Sequence, residues 1–218
     1  MEMVDRTGEI SKTVDPRDVA DKMKIDYSRG VKDQTTKHLD AVSGLCTKIE
    51  RPNLDIDAFM RETADMVTRV FGMESATICV RDPADRKYRY KVVVGLDKDV
   101  ADGFKSIAYS REQLEDNSTY PYHDISERTK LFLTEDHPYA SGEESTYRRP
   151  GLIGMRRRAL NDSLEADYID FFFYGPDGDI LGFIETSGTR LKKLPDSATI
   201  RWIELIASIL GVAIQRRS

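Results

Sequence analysis

Residues 166–188 read ADYIDFFFYGPDGDILGFIETSG, and this stretch decides the fold of the chain. Two strand-like runs, Tyr168–Tyr174 and Ile180–Ser187, flank a turn sequence in which proline fixes φ and glycine supplies positive φ. The stretch therefore predicts a β-hairpin. Its first strand contains four consecutive aromatic residues at 171–174, whereas a strand with one face in water alternates apolar and polar side chains. We therefore expect both faces of this hairpin to be covered.

Segments before and after this hairpin extend the sheet and supply helices. Residues 75–81 and 88–94 alternate apolar and polar side chains around a turn, which predicts another antiparallel hairpin. Residues 129–134, TKLFLT, form a further short candidate strand. Apolar residues at helical spacing predict helices at about 55–71 and 196–217. The order of these elements indicates an α+β fold around an antiparallel sheet.

The segment from Leu96 to about Leu164 has weak periodicity and many tyrosines. Long irregular segments in compact domains are usually functional or partly mobile. Because the terminal helices can cover only one face of the sheet, this middle segment is the material left for the other face. We therefore expect helices behind the aromatic strand and loops in front of it.

The amino-terminal part divides into a polar leader, residues 1–30, and a helix, residues 31–53, before a domain at 54–218. Apolar residues recur in a heptad-like stripe along residues 31–50, which suits a partner helix in a homodimer or packing on the chain's own domain. The last helix is apolar over more than the usual face and so needs two partners. The residues predicted for a dimer interface are Val42, Leu45, Ile49, Ala207, Leu210, Gly211 and Ile214.

Composition narrows the functional class. The net charge of −5 argues against a nucleic-acid surface, which usually shows as a basic stripe. No apolar run approaches the roughly 20 residues that span a bilayer, and the amino terminus lacks a signal-peptide pattern. Cys46 and Cys79 have no metal-type spacing and suggest free thiols in a reducing compartment. These features predict a cytoplasmic protein that binds neither nucleic acid nor membrane.

Three segments of the chain resemble a GAF domain, the small-molecule sensor module of signalling proteins. They are DIDAFMRETADMVTRVFGMESATICVRDP at 55–83, GDILGFIETSG at 178–188 and IRWIELIASILGVAIQRR at 200–217. The match runs from about Leu54 to Arg217 and is diffuse, so it is evidence of fold and not of a particular ligand. The resemblance implies about six antiparallel strands, terminal helices on one face, and a ligand pocket under loops and short helices on the other. A PAS-related sheet is the neighbouring alternative.

The known chemistries of that family find little support in these residues. The Asn-Lys pair of cyclic-nucleotide members is replaced by Gly188-Thr189, and residues 96–164 contain no cysteine for a covalent bilin. A haem sensor would need an axial ligand, for which His123 and His137 are candidates by type. A reductase of the GAF fold would need redox cysteines in the pocket region. Neither a catalytic constellation nor a metal site is found, so we expect no enzyme, and the cofactor is unknown.

Non-covalent binding of a small organic ligand is the remaining function. By strand alternation Thr77 and Cys79 should face the pocket while Ile78 faces the helices, and the orientation of the phenylalanines in 171–173 depends on the register. Tyrosines and an arginine of the middle segment add polar tips. The candidate ligand-binding residues are Thr77, Cys79, Tyr120, Tyr122, His123, Tyr147, Arg148, Phe172, Phe183 and Glu185.

These features predict a sensory or regulatory protein whose ligand orders the middle segment and biases the terminal helices of a homodimer. No output domain is recognised in the 218 residues, so we expect a downstream signalling protein or a longer chain to supply the output. The alternative is a ligand-free dimeric interaction scaffold whose interior is filled by its own aromatic side chains. A closed interior below about 300 Å³ would favour that alternative.

Overall fold

The computed structural model describes residues 21–23, which are helical, and residues 34–216. The long elements occupy the positions that alternation and helical spacing predict. The elements follow the chain in this order: α1 (Gln34–Ile49), α2 (Ile56–Arg69), β1 (Ala76–Arg81), β2 (Tyr88–Val94), α3 (Lys98–Ser106), β3 (Ala108–Tyr109), α4 (Arg111–Glu115), β4 (His123–Asp124), β5 (Thr129–Phe132), β6 (Tyr168–Tyr174), β7 (Ile180–Thr186) and α5 (Ser197–Gln215). Three short 3₁₀ turns, Thr134–Asp136, Glu144–Thr146 and Pro150–Leu152, lie between β5 and β6.

The sheet has seven strands in the order β3-β2-β1-β7-β6-β5-β4, and every neighbouring pair is antiparallel. The predicted α+β class is confirmed, with one strand more than the expected six or so. The unpredicted strands are β3 and β4, each two residues long. Two residues are too few to show a period of two, so no sequence pattern marks them.

Side-chain caps fix the beginnings of the two helices that cover the sheet. Asp55 accepts hydrogen bonds from the backbone N–H groups of Asp57 and Ala58 at 3.0 and 3.1 Å, which starts α2. Asp196 accepts from the N–H of Thr199 at 2.8 Å, which starts α5. These bonds satisfy amide donors that the first helical turn leaves without partners.

One hydrophobic core lies between the helices and the rear face of the sheet. Ile78, Phe171, Phe173 and Ile184 are fully buried there with residues of α1, α2 and α5. Terminal helices on one face are therefore confirmed. The heptad-like stripe packs at least partly on the chain's own domain, because Val42 and Leu45 of α1 lie in this core rather than facing water.

A smaller aromatic cluster lies on the front face of the sheet. It contains Cys79, Tyr90, Phe172 and Phe183. The β6 register pairs Phe172 with Phe183 and Phe171 with Ile184, so Phe172 points forward while its two neighbours point to the helices. This arrangement explains why consecutive aromatic residues occur in β6: both of its faces are covered.

Most of the residues predicted for the dimer interface are buried within a single chain. The structure buries Val42, Leu45, Ala207, Leu210 and Gly211 in the core of one chain. The other two, Ile49 and Ile214, are partly buried against the same core. The homodimer itself stays a prediction.

The last helix is the one element among the described residues that is long and apolar enough to cross a membrane by length and composition. Core helices of globular domains pass the same test. Its Ile203, Ile206 and Leu210 are fully buried in the core against the sheet and α2. These residues pack within the domain, whereas Leu205 and Val212 of the same helix are exposed.

Candidate functional site

A cavity of about 130 Å³ lies between the front face of the sheet and the middle segment. Tyr90, Asp170, Phe183 and Glu185 line it from the sheet. The middle segment, residues 96–164, contributes the larger part of the lining. The predicted pocket side of the sheet is therefore the side on which the structure has its cavity.

Aromatic rings form the walls of this cavity. The ring of Tyr90 meets Phe104 at 4.9 Å and Phe183 at 5.9 Å between centroids, both edge to face. Tyr109 and Tyr120 make a similar contact at 5.9 Å. Edge-to-face pairs at these separations are favourable arrangements of aromatic quadrupoles. These contacts join rings from the sheet and from the middle segment into aromatic walls.

Two carboxyl groups lie side by side on the floor of the cavity. Asp170 of β6 and Glu185 of β7 are directly opposite each other in the sheet. Asp170 is 4% exposed, and its Oδ1 has no hydrogen-bond partner among the described residues. Burial, followed by the repulsion from Glu185, raises the pKa of Asp170 well above its usual range. Burial likewise raises the pKa of Glu185 to about 7, although Tyr90 donates a 2.6 Å hydrogen bond to its Oε2.

A third carboxylate, Glu143, holds the middle segment over the walls. The hydroxyls of Tyr120 and Tyr109 donate to its Oε1 at 2.7 and 3.2 Å. The backbone N–H of Ala140 donates to its Oε2 at 2.9 Å. These hydrogen bonds tie the loop around 140–143 to β3 and to the segment that precedes β4.

The other acidic groups of the lining have basic partners. Arg148 pairs with Glu74, and Arg149 donates to Glu165 at 2.8 Å from both its backbone N–H and its Nε. At a further point of the lining, Nη2 of Arg157 lies 3.0 Å from both oxygens of Asp167. Arg148, Arg149 and Arg157 are thus engaged in structural ion pairs.

The structure divides the ten predicted ligand-binding residues into three groups. Five line the cavity: Tyr120, Tyr147, Arg148, Phe183 and Glu185. Three are buried in the strands of the sheet and do not line the cavity: Thr77, Cys79 and Phe172. Two lie elsewhere: His123, which is exposed and bonded to Asp136 at 2.8 Å, and Tyr122, whose ring carries Lys130 at 3.7 Å from its centroid.

Sequence reasoning missed several residues that line the cavity. The missed polar residues include Tyr90, Tyr109, Glu143, Tyr168 and Asp170. One signal was present in the sequence: the run YIDFFFY contains an aspartate among buried residues. Burying a carboxyl group is costly unless a polar partner faces it, so this aspartate indicates a polar site in front of the sheet. The tyrosines carried no such signal, because an amphipathic ring in a loop is equally common at the surface.

The chemistry that the cavity can support is limited by these groups. Among residues 21–23 and 34–216, no cluster of three His, Cys, Asp or Glu side chains is placed to hold a metal ion. Burial raises the pKa of the Cys79 thiol well above its ordinary value, which disfavours the reactive thiolate. His123 and His137 do not line the cavity; His137 lies 2.9 Å from the hydroxyl of Tyr139. The lining therefore offers aromatic faces, hydroxyls and carboxyls for binding.

Comparison with solved structures gives the fold. A GAF domain of A. aeolicus in an inactive state is 14% identical with a TM-score of 0.53, and the match covers 85% of this chain and all of that one. The GAF domain of a Coxiella burnetii phosphoenolpyruvate-protein phosphotransferase is 10% identical with a TM-score of 0.53, covering 83% and 94%. The free methionine-R-sulfoxide reductase of Neisseria meningitidis, solved with its substrate, is 12% identical with a TM-score of 0.52, covering 85% and 93%.

Sequence comparisons add nothing to this result, since no protein-family model and no curated protein matches the chain. At identities of 10–14% the structural likeness concerns the fold alone. The strand order, the helices on one face and the cavity on the other agree with it. The chain has the fold of a GAF domain.

Proposed function

We propose that this chain is a sensory or regulatory module that binds a small organic ligand in its cavity. The observation that carries the proposal is the cavity itself: preformed aromatic walls with a few convergent polar groups are typical of ligand sites. A cavity of about 150 Å³ is known to admit a benzene-sized molecule. At about 130 Å³, the ligand is of that size or the middle segment moves to admit a larger one.

The fold offers a short route from this site to the terminal helices. Phe172 packs in the front cluster and Phe173 in the core beneath the helices, so adjacent residues of β6 contact opposite faces of the sheet. The two terminal helices run side by side: His38 and Trp202 rings are 5.9 Å apart near one end, and Arg216 donates to the carbonyl of Ile49 at the other. A ligand that binds two packings of the middle segment unequally shifts their populations, and through β6 the helices.

A homodimer in a cytoplasmic setting, acting on a downstream signalling protein, belongs to the same proposal. Because the residues predicted for the dimer interface are largely buried within one chain, we assign the dimer contact to exposed apolar residues of the terminal helices. These are Leu39, Leu205 and Val212, which are 45–54% exposed. Analytical ultracentrifugation of the wild type and of Leu205→Glu tests this part: the dimer should dissociate in the variant, and a monomeric wild type contradicts it.

The second candidate function is the ligand-free interaction scaffold. The volume favours it, because about 130 Å³ lies below the roughly 300 Å³ of common ligand pockets. Haem has no support here, since neither candidate histidine lines the cavity. The two candidates differ in one measurable respect: the sensor requires a small molecule to bind in the cavity, and the scaffold does not.

Native mass spectrometry of the purified protein, combined with an absorption spectrum, separates these candidates. The sensor predicts a bound small-molecule mass in the wild type that is lost in Leu114→Trp, which fills the cavity. Leu152→Trp, at a position outside the lining, is the matched control and should retain the mass. A wild type without bound mass, whose unfolding temperature changes equally in both variants, favours the scaffold. A Soret band would restore the haem hypothesis.

A further inference from the structure

The cavity combines buried acid with aromatic walls in a way that points to the charge of its ligand. Of the six carboxylate residues in the lining, three have basic partners: Glu74, Glu165 and Asp167. The remaining three, Glu143, Asp170 and Glu185, form no ion pair among the described residues. Three acidic side chains therefore converge on the cavity without a cation.

Asp170 is the strongest indication among these three. It is 4% exposed, lines the cavity, and leaves its Oδ1 without a hydrogen-bond partner in the part of the chain that the structure describes. An unpartnered buried carboxyl is costly, and like charges directly opposite each other in a sheet are destabilising. The arrangement with Glu185 is unfavourable for an isolated domain, and a cation between the two groups would reverse that.

Lys130, whose charge acts on Asp170, makes its own contacts elsewhere. Lys130 stands opposite Asp170 in the β5–β6 register. Its ammonium lies 3.7 Å from the centre of the Tyr122 ring and 3.5 Å from the carbonyl of Leu114, and it makes no ion pair within 4 Å among the described residues. Lys130 therefore leaves the two carboxyl groups on the floor without an ion-pair partner among the described residues.

The walls suit an organic cation rather than a metal ion. The rings of Tyr90, Phe104, Tyr109 and Tyr120 line the same cavity as the two acids and contact one another edge to face. Aromatic faces attract ammonium groups through the ring quadrupole, most strongly where water is excluded. Metal coordination is not supported, because no cluster of three suitable ligands exists among the described residues.

We propose that the cavity selects a small organic cation, an amine or ammonium compound, with its charged group between Asp170 and Glu185 and its apolar part against the tyrosine rings. This inference rests on the proposed function, since it names the class of ligand for the same site. The volume of about 130 Å³ limits the ligand to roughly the size of benzene unless the middle segment moves.

Three probes of equal size and different charge test the inference on the full chain. n-Butylammonium, n-butanol and butyrate are titrated into the protein at pH 7.5 and followed by NMR chemical shifts. We expect n-butylammonium to bind at least tenfold more tightly than n-butanol, and butyrate to bind most weakly. Asp170→Asn and Glu185→Gln should each lose most of the preference for the cation while keeping the affinity for n-butanol. Asp177→Asn, an exposed turn residue, removes the same charge and should change nothing.

The outcomes distinguish this inference from the function on which it rests. Equal binding of n-butanol, or tighter binding of butyrate, overturns the cationic ligand and leaves a ligand-binding module in place. Binding of none of the three probes also overturns it, and the mass-spectrometric comparison of Leu114→Trp with Leu152→Trp then judges the proposed function separately. If both acid variants unfold, Lys130→Met provides the second test: removing the nearby ammonium should strengthen n-butylammonium binding, and an unchanged affinity counts against the inference.

Discussion

Phe173 of β6 packs directly on Gly211 of α5, so the strand and the last helix meet without an intervening side chain. A Cβ atom built on Gly211 would lie 3.1 Å from the Cβ of Phe173, tighter than an ordinary contact. Both residues are buried in the helix-side core. Glycine at 211 therefore allows the close approach of α5 to β6, and a larger residue requires Phe173 or the helix to shift.

Gly211→Val should destabilise the fold by about 1–3 kcal/mol, because overpacking a close-packed core forces shifts of side chains and backbone. Gly44→Ala is the matched control, since a Cβ there meets nothing within 4 Å on exposed α1. Removing a helical glycine should leave the control equally stable or up to about 1 kcal/mol more stable. Urea unfolding measures both. Equal free energies of unfolding for Gly211→Val and wild type would show that α5 and β6 are not tightly packed.

The pH dependence of stability should reflect the buried acid pair. Burial raises the pKa of Glu185 from 4.5 to about 7, so between these values the folded chain keeps a proton that the unfolded chain releases. The stability from this group is complete below pH 4.5 and is lost as the pH rises through about 7. Glu143, Tyr90, Lys130 and the similarly shifted Asp170 face the same space or the same row of the sheet.

Glu185→Gln has no charge to bury, so it should be more stable than the wild type above pH 7. The expected gain at pH 8 is on the order of 3 kcal/mol, from about 1.4 kcal/mol per unit over the shift from 4.5 to about 7. Near pH 4.5 the two proteins should be equally stable. Urea denaturation at both pH values measures this, with Asp177→Asn as the surface control. The idea fails if the difference between Glu185→Gln and wild type is independent of pH.

Tyr120 should hold the cavity roof closed through its hydrogen bond to Glu143. The Tyr120→Phe change removes a 2.7 Å bond to a carboxylate while keeping the ring, which should cost about 1.5–3 kcal/mol. Hydrogen exchange should accelerate in residues 138–147, which Glu143 ties down. Tyr122→Phe is the matched control: its hydroxyl makes no hydrogen bond among the described residues, so exchange should be unchanged. Equal exchange rates in the two variants would show that the hydrogen bond from Tyr120 to Glu143 does not hold residues 138–147 in place.

The sheet and its covering helices were predictable because their signals are local and repetitive. Residues 75–81 and 88–94 alternate with a period of two, and 55–71 and 196–217 repeat at helical spacing. Helix α3 was missed because it is only nine residues long and is completed by a tertiary contact. A Cβ on its Gly103 would lie 2.5 Å from the carbonyl oxygen of Ser145, so glycine is required there for packing and not for a turn.

The cavity was only partly predictable, because its residues meet through long loops. Strand alternation placed Phe183 and Glu185 on the front face, since each strand position fixes the next. It did not decide which residues of β6 face forward, because a shift of one residue reverses the strand. That uncertainty concealed Asp170, the residue whose burial most sharply describes the site. His123 was misplaced in the pocket for the opposite reason: its two-residue edge strand carries no period at all.

The two cysteines should differ in reactivity in the native protein. Cys46 is exposed on α1, whereas Cys79 is fully buried in β1 and burial raises its pKa well above the ordinary value. Because the thiolate is the reactive form and must be reached by the reagent, a chromogenic disulfide should titrate one thiol per native chain at pH 8 and two in denaturant. Cys46→Ser should abolish the native reaction, while Cys79→Ala should leave it intact. Rapid labelling of Cys79 in the native state would mean that the front of the sheet opens readily, and the cavity could then not exclude water from its acid pair.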